Sequence, residues 1–208
     1  WRRLFEKVKI GGLTIEEQKG LYGELLVIKH LISSGISPTL VINSWCGPDK
    51  KNHDFIFHQL SIEVKTTTAN HPVIRITNEN QLDHSNQLCL VLIILSEKRG
   101  NTNTLPVLVN ELRILLSEHT LEELERFDEK LMSVNYHEAD KENYLLTEYS
   151  IRKINAYNIE ETFPRIIPET LMDGIFGVNY QIETSACNDF LVEYPNFILQ
   201  SLNYEITR

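Results

Sequence analysis

Between His53 and Thr67 the chain carries an aspartate, a glutamate and a lysine in short order: Asp54, then Glu63-Val64-Lys65. Carboxylates with a neighbouring ammonium suit divalent-metal hydrolysis of a phosphodiester. Hard oxygen ligands hold Mg²⁺ or Mn²⁺ with waters still in the shell. Such a metal lowers the pKa of the attacking water, polarises the phosphoryl oxygen and stabilises the leaving oxygen. A lysine beside it orients or deprotonates that water and stabilises the developing charge. A further carboxylate, Glu24, lies upstream between Leu21 and Ile28, on or beside an apolar helical stripe. A carboxylate there is expensive unless it meets a cation.

These residues need two strands and a helix to bring them together. Ser61 to Thr67 and Asp54 to Phe57 read as strands joined by a tight turn at His58-Gln59. Alternation puts Ile62 and Val64 on one face of the second strand, and Glu63 and Lys65 on the other. A two-residue loop pairs Phe57 with Leu60 and sets Asp54 opposite Glu63; a three-residue loop shifts this by one. The simpler reading of Glu63 and Lys65 is a surface ion pair, worth ~0–1 kcal/mol. The apolar strands around it and Glu24 on the first helix argue against that. The helix opens at Thr14, where Thr14-Ile15-Glu16-Glu17 has the form of a capping box, and Ser33-Ser34-Gly35 ends it. Gly20 and Gly23 within it point to close packing against a neighbour.

Elsewhere, Thr39 to Asn43, Val73 to Ile76 and Leu105 to Val109 read as strands, and Cys46-Gly47-Pro48-Asp49 as a turn. Leu88 to Leu95 reads as a strand buried on both faces. Asn110 to Met132 reads as two helices broken near His119-Thr120, with a second T-x-x-E box at Thr120 and an acidic, solvated face that includes Glu122, Glu123 and Asp128. Tyr149 to Asn158 and Gly177 to Glu183 alternate as strands. Without repeats or linkers, the expectation is a single domain over 1–208, with a core at about 12–115 and accessory elements at about 116–208.

The chain has 208 residues, 42% hydrophobic and 24% charged, with a net charge of −9. That composition argues against a disordered chain and supports a hydrophobic core. The acidic surplus is unlike a protein that coats nucleic acid, so a polyanion must be met locally and with metal help. The basic groups Arg2-Arg3, Lys7 and Lys9, Lys50-Lys51 and Lys98-Arg99 read as solvated surface. Cys46, Cys89 and Cys187 have neither disulfide nor zinc spacing. The longest apolar run, Leu88 to Leu95, has eight residues, short of the roughly 18 that a membrane span needs. No secretory leader pattern is present, so the expectation is a cytoplasmic protein without a membrane partner. His53 and His58, flanking the Asp54 strand, are weaker metal candidates. Trp45 reads as a turn anchor rather than a base-stacking platform.

Gly23-Glu24-Leu25, His53-Asp54-Phe55 and Ile62-Glu63-Val64-Lys65-Thr66-Thr67 together resemble the PD-(D/E)XK nuclease superfamily, whose pattern is a helix glutamate, a strand aspartate and E-x-K on the next strand. The contexts Gly20 to Leu26 and Trp45 to Asp49 are similar to the bacterial PD-(D/E)XK motif proteins of unknown function. Weaker similarity runs through Glu79 to Leu82, Leu105 to Val109 and Phe163-Pro164-Arg165. In place of the proline before the aspartate stands His53.

The resemblance implies an α/β fold with a restriction-endonuclease-like core, a central mixed β-sheet flanked by helices, and additional C-terminal strands and helices. It implies Asp54, Glu63 and the Val64 carbonyl as ligands of Mg²⁺, with Mn²⁺ as a substitute. Lys65 becomes the catalytic lysine, and Glu24 a further ligand or a neighbour of the ligands. Gln81 matches a glutamine found on the helix after the E-x-K strand in some members. The implied activity is a Mg-dependent endonuclease acting on DNA in a restriction or phage-defence setting. Expected partners are an ATPase or methyltransferase and a second copy in a homodimer. The alternative is a nuclease-like module that binds nucleic acid or a partner protein without cutting.

Overall fold

A computed structural model describes residues 12–49 and 51–206. The chain divides into two compact units, residues 1–43 with 96–150, and residues 44–95 with 151–208. The predicted basic groups at Arg2-Arg3, Lys7 and Lys9, together with Gly11 and Lys50, lie outside the described residues. Among the described residues no helix is long and apolar enough to cross a membrane.

The first unit is helical. Helix α1 (Ile15–Ser33) starts at the expected capping box: the Glu17 N–H donates to Thr14 Oγ1 at 3.3 Å, and the Thr14 N–H donates to Glu17 Oε2 at 2.9 Å. Gly35, at φ +93°, takes the left-handed conformation just past its end. Leu25, Val27, Ile28 and Leu31 are fully buried. Gly23 is buried, but a Cβ on Gly20 would meet nothing within 4 Å, so close packing does not explain Gly20.

Two segments expected as strands are helical. Thr39 to Asn43 lies in α2 (Pro38–Ser44), and Leu105 to Val109 opens α3 (Leu105–Ser117). In α3, Leu105, Leu108, Val109, Leu112 and Leu116 are buried, and this helical spacing declares itself only beyond Val109. Helix α4 (Leu121–Ser133) follows the predicted break, but the Thr120 side chain makes no cap hydrogen bond. Nor is its acidic face wholly solvated. Glu123 is buried and accepts from Thr39 Oγ1, while Asp128 pairs with Arg113 at 2.8 Å. Helix α3 packs on both α1 and α4, and a short α5 (Lys141–Tyr144) brings the Tyr144 hydroxyl to the Leu13 N–H at 2.8 Å.

The second unit is built on strands β1 (Phe55–Ile56), β2 (Leu60–Thr67), β3 (Val73–Ile76), β4 (Gln87–Arg99), β5 (Thr147–Ile159), β6 (Tyr180–Glu183) and β7 (Leu191–Val192). The unit boundaries fall inside β4 and β5. A mixed five-stranded sheet has the order β1-β2-β4-β5-β7, and β3 pairs with β6 as a separate antiparallel ribbon. The β1–β2 register is Phe55↔Ile62, and the Phe57 N–H donates to the Leu60 carbonyl at 2.8 Å. The turn is therefore the two-residue form. Strand β2 runs parallel to β4, with Glu63↔Leu90 and Lys65↔Leu92 side by side.

Leu88, Leu90, Leu92 and Ile94 of β4 share one sheet face and form a core with Ile74 and Ile76 of β3 and Ile182 of β6. Cys89, Val91, Ile93 and Leu95 bury the other face, so β4 is sandwiched as its unbroken apolar run required. The final helix α6 (Asn196–Ile206) packs against β2. Arg152 ties this unit together. Its guanidinium donates to the carbonyls of Leu95, Thr68 and Ala69 and to Asn70 Oδ1, at 2.7–3.0 Å.

Candidate active site

Strand pairing assembles the site. Residues side by side on paired strands share a face, so Glu63 and Lys65 project on the face of Leu90 and Leu92, towards the core rather than away from it. Glu63 is 2% exposed, and the Lys65 side chain 18%. Lys65 Nζ lies 2.6 Å from Glu63 Oε1. Asp54 immediately precedes β1, and the register carries it opposite Glu63. Its carbonyl accepts from the N–H groups of Cys46, at 2.6 Å, and Gly47, at 3.0 Å. The turn around Gly47–Asp49 thus fixes the backbone of the aspartate.

The Asp54 carboxylate takes the place of the next ladder partner. Oδ2 accepts the Val64 N–H at 2.7 Å, where β1 has no further residue to offer. A strand residue points its N–H and C=O to the same side, so the Val64 carbonyl faces the Asp54 side of β2 as well. One backbone oxygen and two carboxylates therefore converge at one end of the β1–β2 hairpin.

The charges do not balance there. Burial and, next to it, the Asp54 charge push the Glu63 carboxyl up to about 8 against the opposing pull of Lys65. Burial also raises the Asp54 carboxyl, against the Val64 N–H and the Lys65 ammonium. A buried and a half-buried carboxylate with one ammonium leave an excess negative charge, which is met by holding a proton or a cation.

Gln81 completes the group. Its Oε1 accepts from Lys65 Nζ at 3.2 Å and from the Thr77 N–H at 2.9 Å. It lies in a turn between β3 and β4, not on the helix implied by the resemblance. Sequence reasoning missed what holds this turn: the Glu79 carboxylate accepts the N–H groups of Gly177, at 3.1 Å, and Val178, at 2.8 Å. Its own backbone N–H and those of Gly177 and Val178 hold the Glu79 carboxyl below its usual range. No periodicity marks such a residue; its signals were a polar cluster, Asn78 to Gln81, between two apolar runs, and the weak family similarity over Glu79 to Leu82.

A family model described as "Putative PD-(D/E)XK family member, (DUF4420)" matches residues 1–185. The chain belongs to this family. No curated protein and no solved structure matches it significantly. The mixed α/β architecture with a five-stranded mixed central sheet agrees with the PD-(D/E)XK family assignment.

In this DUF4420 chain, Asp54, Glu63, Lys65 and Gln81 come together, with the Val64 backbone beside them. Glu24 is half-buried on α1, in the first unit. His53 is buried, and burial lowers its pKa in favour of the neutral ring; His58 is exposed. Trp45 is fully buried, as a turn anchor must be. Among the described residues no group of three or more His, Cys, Asp or Glu side chains forms a metal cluster. The donor set at the hairpin is instead two carboxylates and a carbonyl. These are hard oxygens carrying uncompensated negative charge, which fits Mg²⁺ or Mn²⁺ with waters filling the remaining positions.

Proposed function

We propose that this protein is a metal-dependent nuclease that hydrolyses DNA phosphodiester bonds. The observation that carries this reading is the buried Glu63 beside the half-buried Asp54, with Lys65 2.6 Å from Glu63, a cluster short of positive charge. Asp54, Glu63 and the Val64 carbonyl would hold the cation. A bound divalent cation would supply Lewis-acid polarisation of the phosphate and a lower pKa for a coordinated water.

The chain's own residues do the rest. With a cation held there, the carboxyls of Asp54 and Glu63, whose raised pKa values favour the protonated form without it, would be ionised. Lys65, released in part from Glu63, turns its ammonium to the phosphate or to the attacking water. Gln81 Oε1 holds Nζ in place and limits its swing. The PD-(D/E)XK assignment supports a nucleic-acid substrate, and a restriction or phage-defence setting with ATPase, methyltransferase or second-copy partners would follow from it.

The test is a Mn²⁺ titration by calorimetry of the wild type beside Asp54→Asn and Glu63→Gln, followed by cleavage assays with Lys65→Ala. The expected result is saturable binding lost in both carboxylate variants, and cleavage lost in Lys65→Ala with the fold intact. Wild-type cleavage by Lys65→Ala would sink the assignment. The alternative is a nuclease-like module that binds nucleic acid or a partner protein without cutting. DNA binding that ignores divalent metal and survives Asp54→Asn would select it.

A further inference from the structure

The β3–β6 ribbon has two unlike faces. Ile74, Ile76 and Ile182 point into the core. On the opposite face Arg75 pairs with Gln181 in register, and Thr77 and Asn179 extend the same face just beyond the strand ends. All four side chains are exposed. A hollow of about 340 Å³ opens along this part of the ribbon, lined by Arg75, Ile76, Thr77, Asn179, Tyr180 and Gln181. Its single charged lining residue is Arg75, in a chain whose net charge is −9. Among the described residues no carboxylate pairs with Arg75.

This surface is continuous with the proposed catalytic group. The Thr77 N–H and Lys65 Nζ donate to one and the same oxygen, Gln81 Oε1. The Glu79 carboxylate bolts the start of the β6 arm, at Gly177 and Val178, to the turn that carries Gln81. The ribbon is therefore hydrogen-bonded on both arms to the turn that holds the lysine.

We propose that the outward face of this ribbon reads base edges in a groove of duplex DNA beside the bond to be cut, with Arg75 and Gln181 as the reading pair. The proposal rests on the nuclease reading above. Its warrant is the chemistry of the lining. A phosphate-tracking surface gathers several cations, whereas one guanidinium among two amides and a hydroxyl matches base edges. Arginine forks onto guanine O6 and N7, glutamine and asparagine onto adenine N6 and N7, and a two-stranded ribbon fits the major groove. In an acidic protein, a lone cation with amides also limits indiscriminate binding.

The experiment selects bound sequences from a randomised short-duplex DNA library. It compares the Lys65→Ala chain, silenced against cutting, with the same chain carrying Arg75→Ala, Arg75→Lys or Gln181→Ala. Thermal unfolding checks each variant's fold, and the chain with Lys65 intact is assayed in parallel for Mn²⁺-dependent cutting of the same library. Arg75→Ala should weaken binding to the selected sequence about 10–100-fold and relax the base preference at one position. Arg75→Lys should recover affinity more than preference. Unchanged affinity and preference in the ribbon variants, while the Lys65 chain still cuts, would overturn the ribbon proposal and leave the nuclease reading standing. A uniform loss across all sequences, with the salt dependence lowered by about one phosphate, would also overturn it by placing Arg75 on the backbone. Neither binding nor cutting by the parent chains would remove both.

Discussion

Replacing Glu63 by glutamine should make the metal-free protein more stable at alkaline pH, although the change removes a salt bridge to Lys65. Glu63 ionises near 8 in the folded chain, against 4.5 for an ordinary glutamate. Below about pH 4.5 the carboxyl is protonated in both states and contributes no pH dependence. Between the two values the folded state binds the proton more tightly, so stability falls as pH rises, and above about 8 the whole penalty is present. At about 1.4 kcal/mol per pH unit the penalty is on the order of 3–5 kcal/mol. That is a large share of the roughly 5–15 kcal/mol that holds a domain together. The amide of the Glu63→Gln variant keeps the shape and an oxygen for Lys65 Nζ without the charge.

Thermal unfolding in chelator at about pH 5 and about pH 9 measures this. The wild type should lose more than Glu63→Gln over that interval, by on the order of 10 °C in Tm for a chain of this size. Comparing the two curves cancels the groups they share, including His53 and His84, whose pKa values burial lowers. Saturating Mg²⁺ should restore much of the alkaline loss in the wild type and little of it in the variant, because the cation replaces the proton only where Glu63 is present. Parallel pH curves, with a constant offset between wild type and variant, would refute the argument that Glu63 is buried with uncompensated charge.

Four further outcomes are expected. Gln81→Ala should leave Mn²⁺ binding intact but lower kcat and shift the pH profile of cleavage, since it frees Lys65 Nζ from its 3.2 Å partner; an unchanged profile would leave Gln81 a merely structural residue. Leu92→Ala, at a 1% exposed position in β4, should cost about 2–5 kcal/mol in denaturant unfolding. Gly12→Ala should destabilise by roughly 1–3 kcal/mol, because φ is +73° and a Cβ would run into the Tyr144 hydroxyl; Tyr144→Phe on that background should recover only part of the loss. Arg152→Lys should cost on the order of 1–3 kcal/mol despite keeping the charge, since an ammonium cannot span Leu95, Thr68, Ala69 and Asn70 as the guanidinium fork does.

What the sequence revealed of this fold follows the range of the interactions. Thr14 and Glu17 cap their helix across three residues, and the Asp54–Glu63 register follows from a turn of two. The cap was legible and the register was narrowed to two forms, because every partner lies close in the chain. The strand readings of Thr39 to Asn43 and Leu105 to Val109 failed because four or five apolar or β-branched residues do not distinguish one period from the other. The pairing of Arg75 with Gln181 spans about a hundred residues, and nothing in either strand names its partner. The burial of Glu63 was equally hidden. It depends on Leu90 and Leu92 lying alongside, which only the parallel register with β4 determines. That burial is the strongest reason to read the hairpin as a site. A carboxylate between leucines gives the fold nothing that another leucine would not, and ionising it beside Asp54 weakens the folded state. Its companions are arranged to hold charge: Asp54 fixed by two backbone N–H groups and bonded to Val64, Lys65 fixed by Gln81. Such an arrangement makes physical sense when a cation completes it, and little sense otherwise.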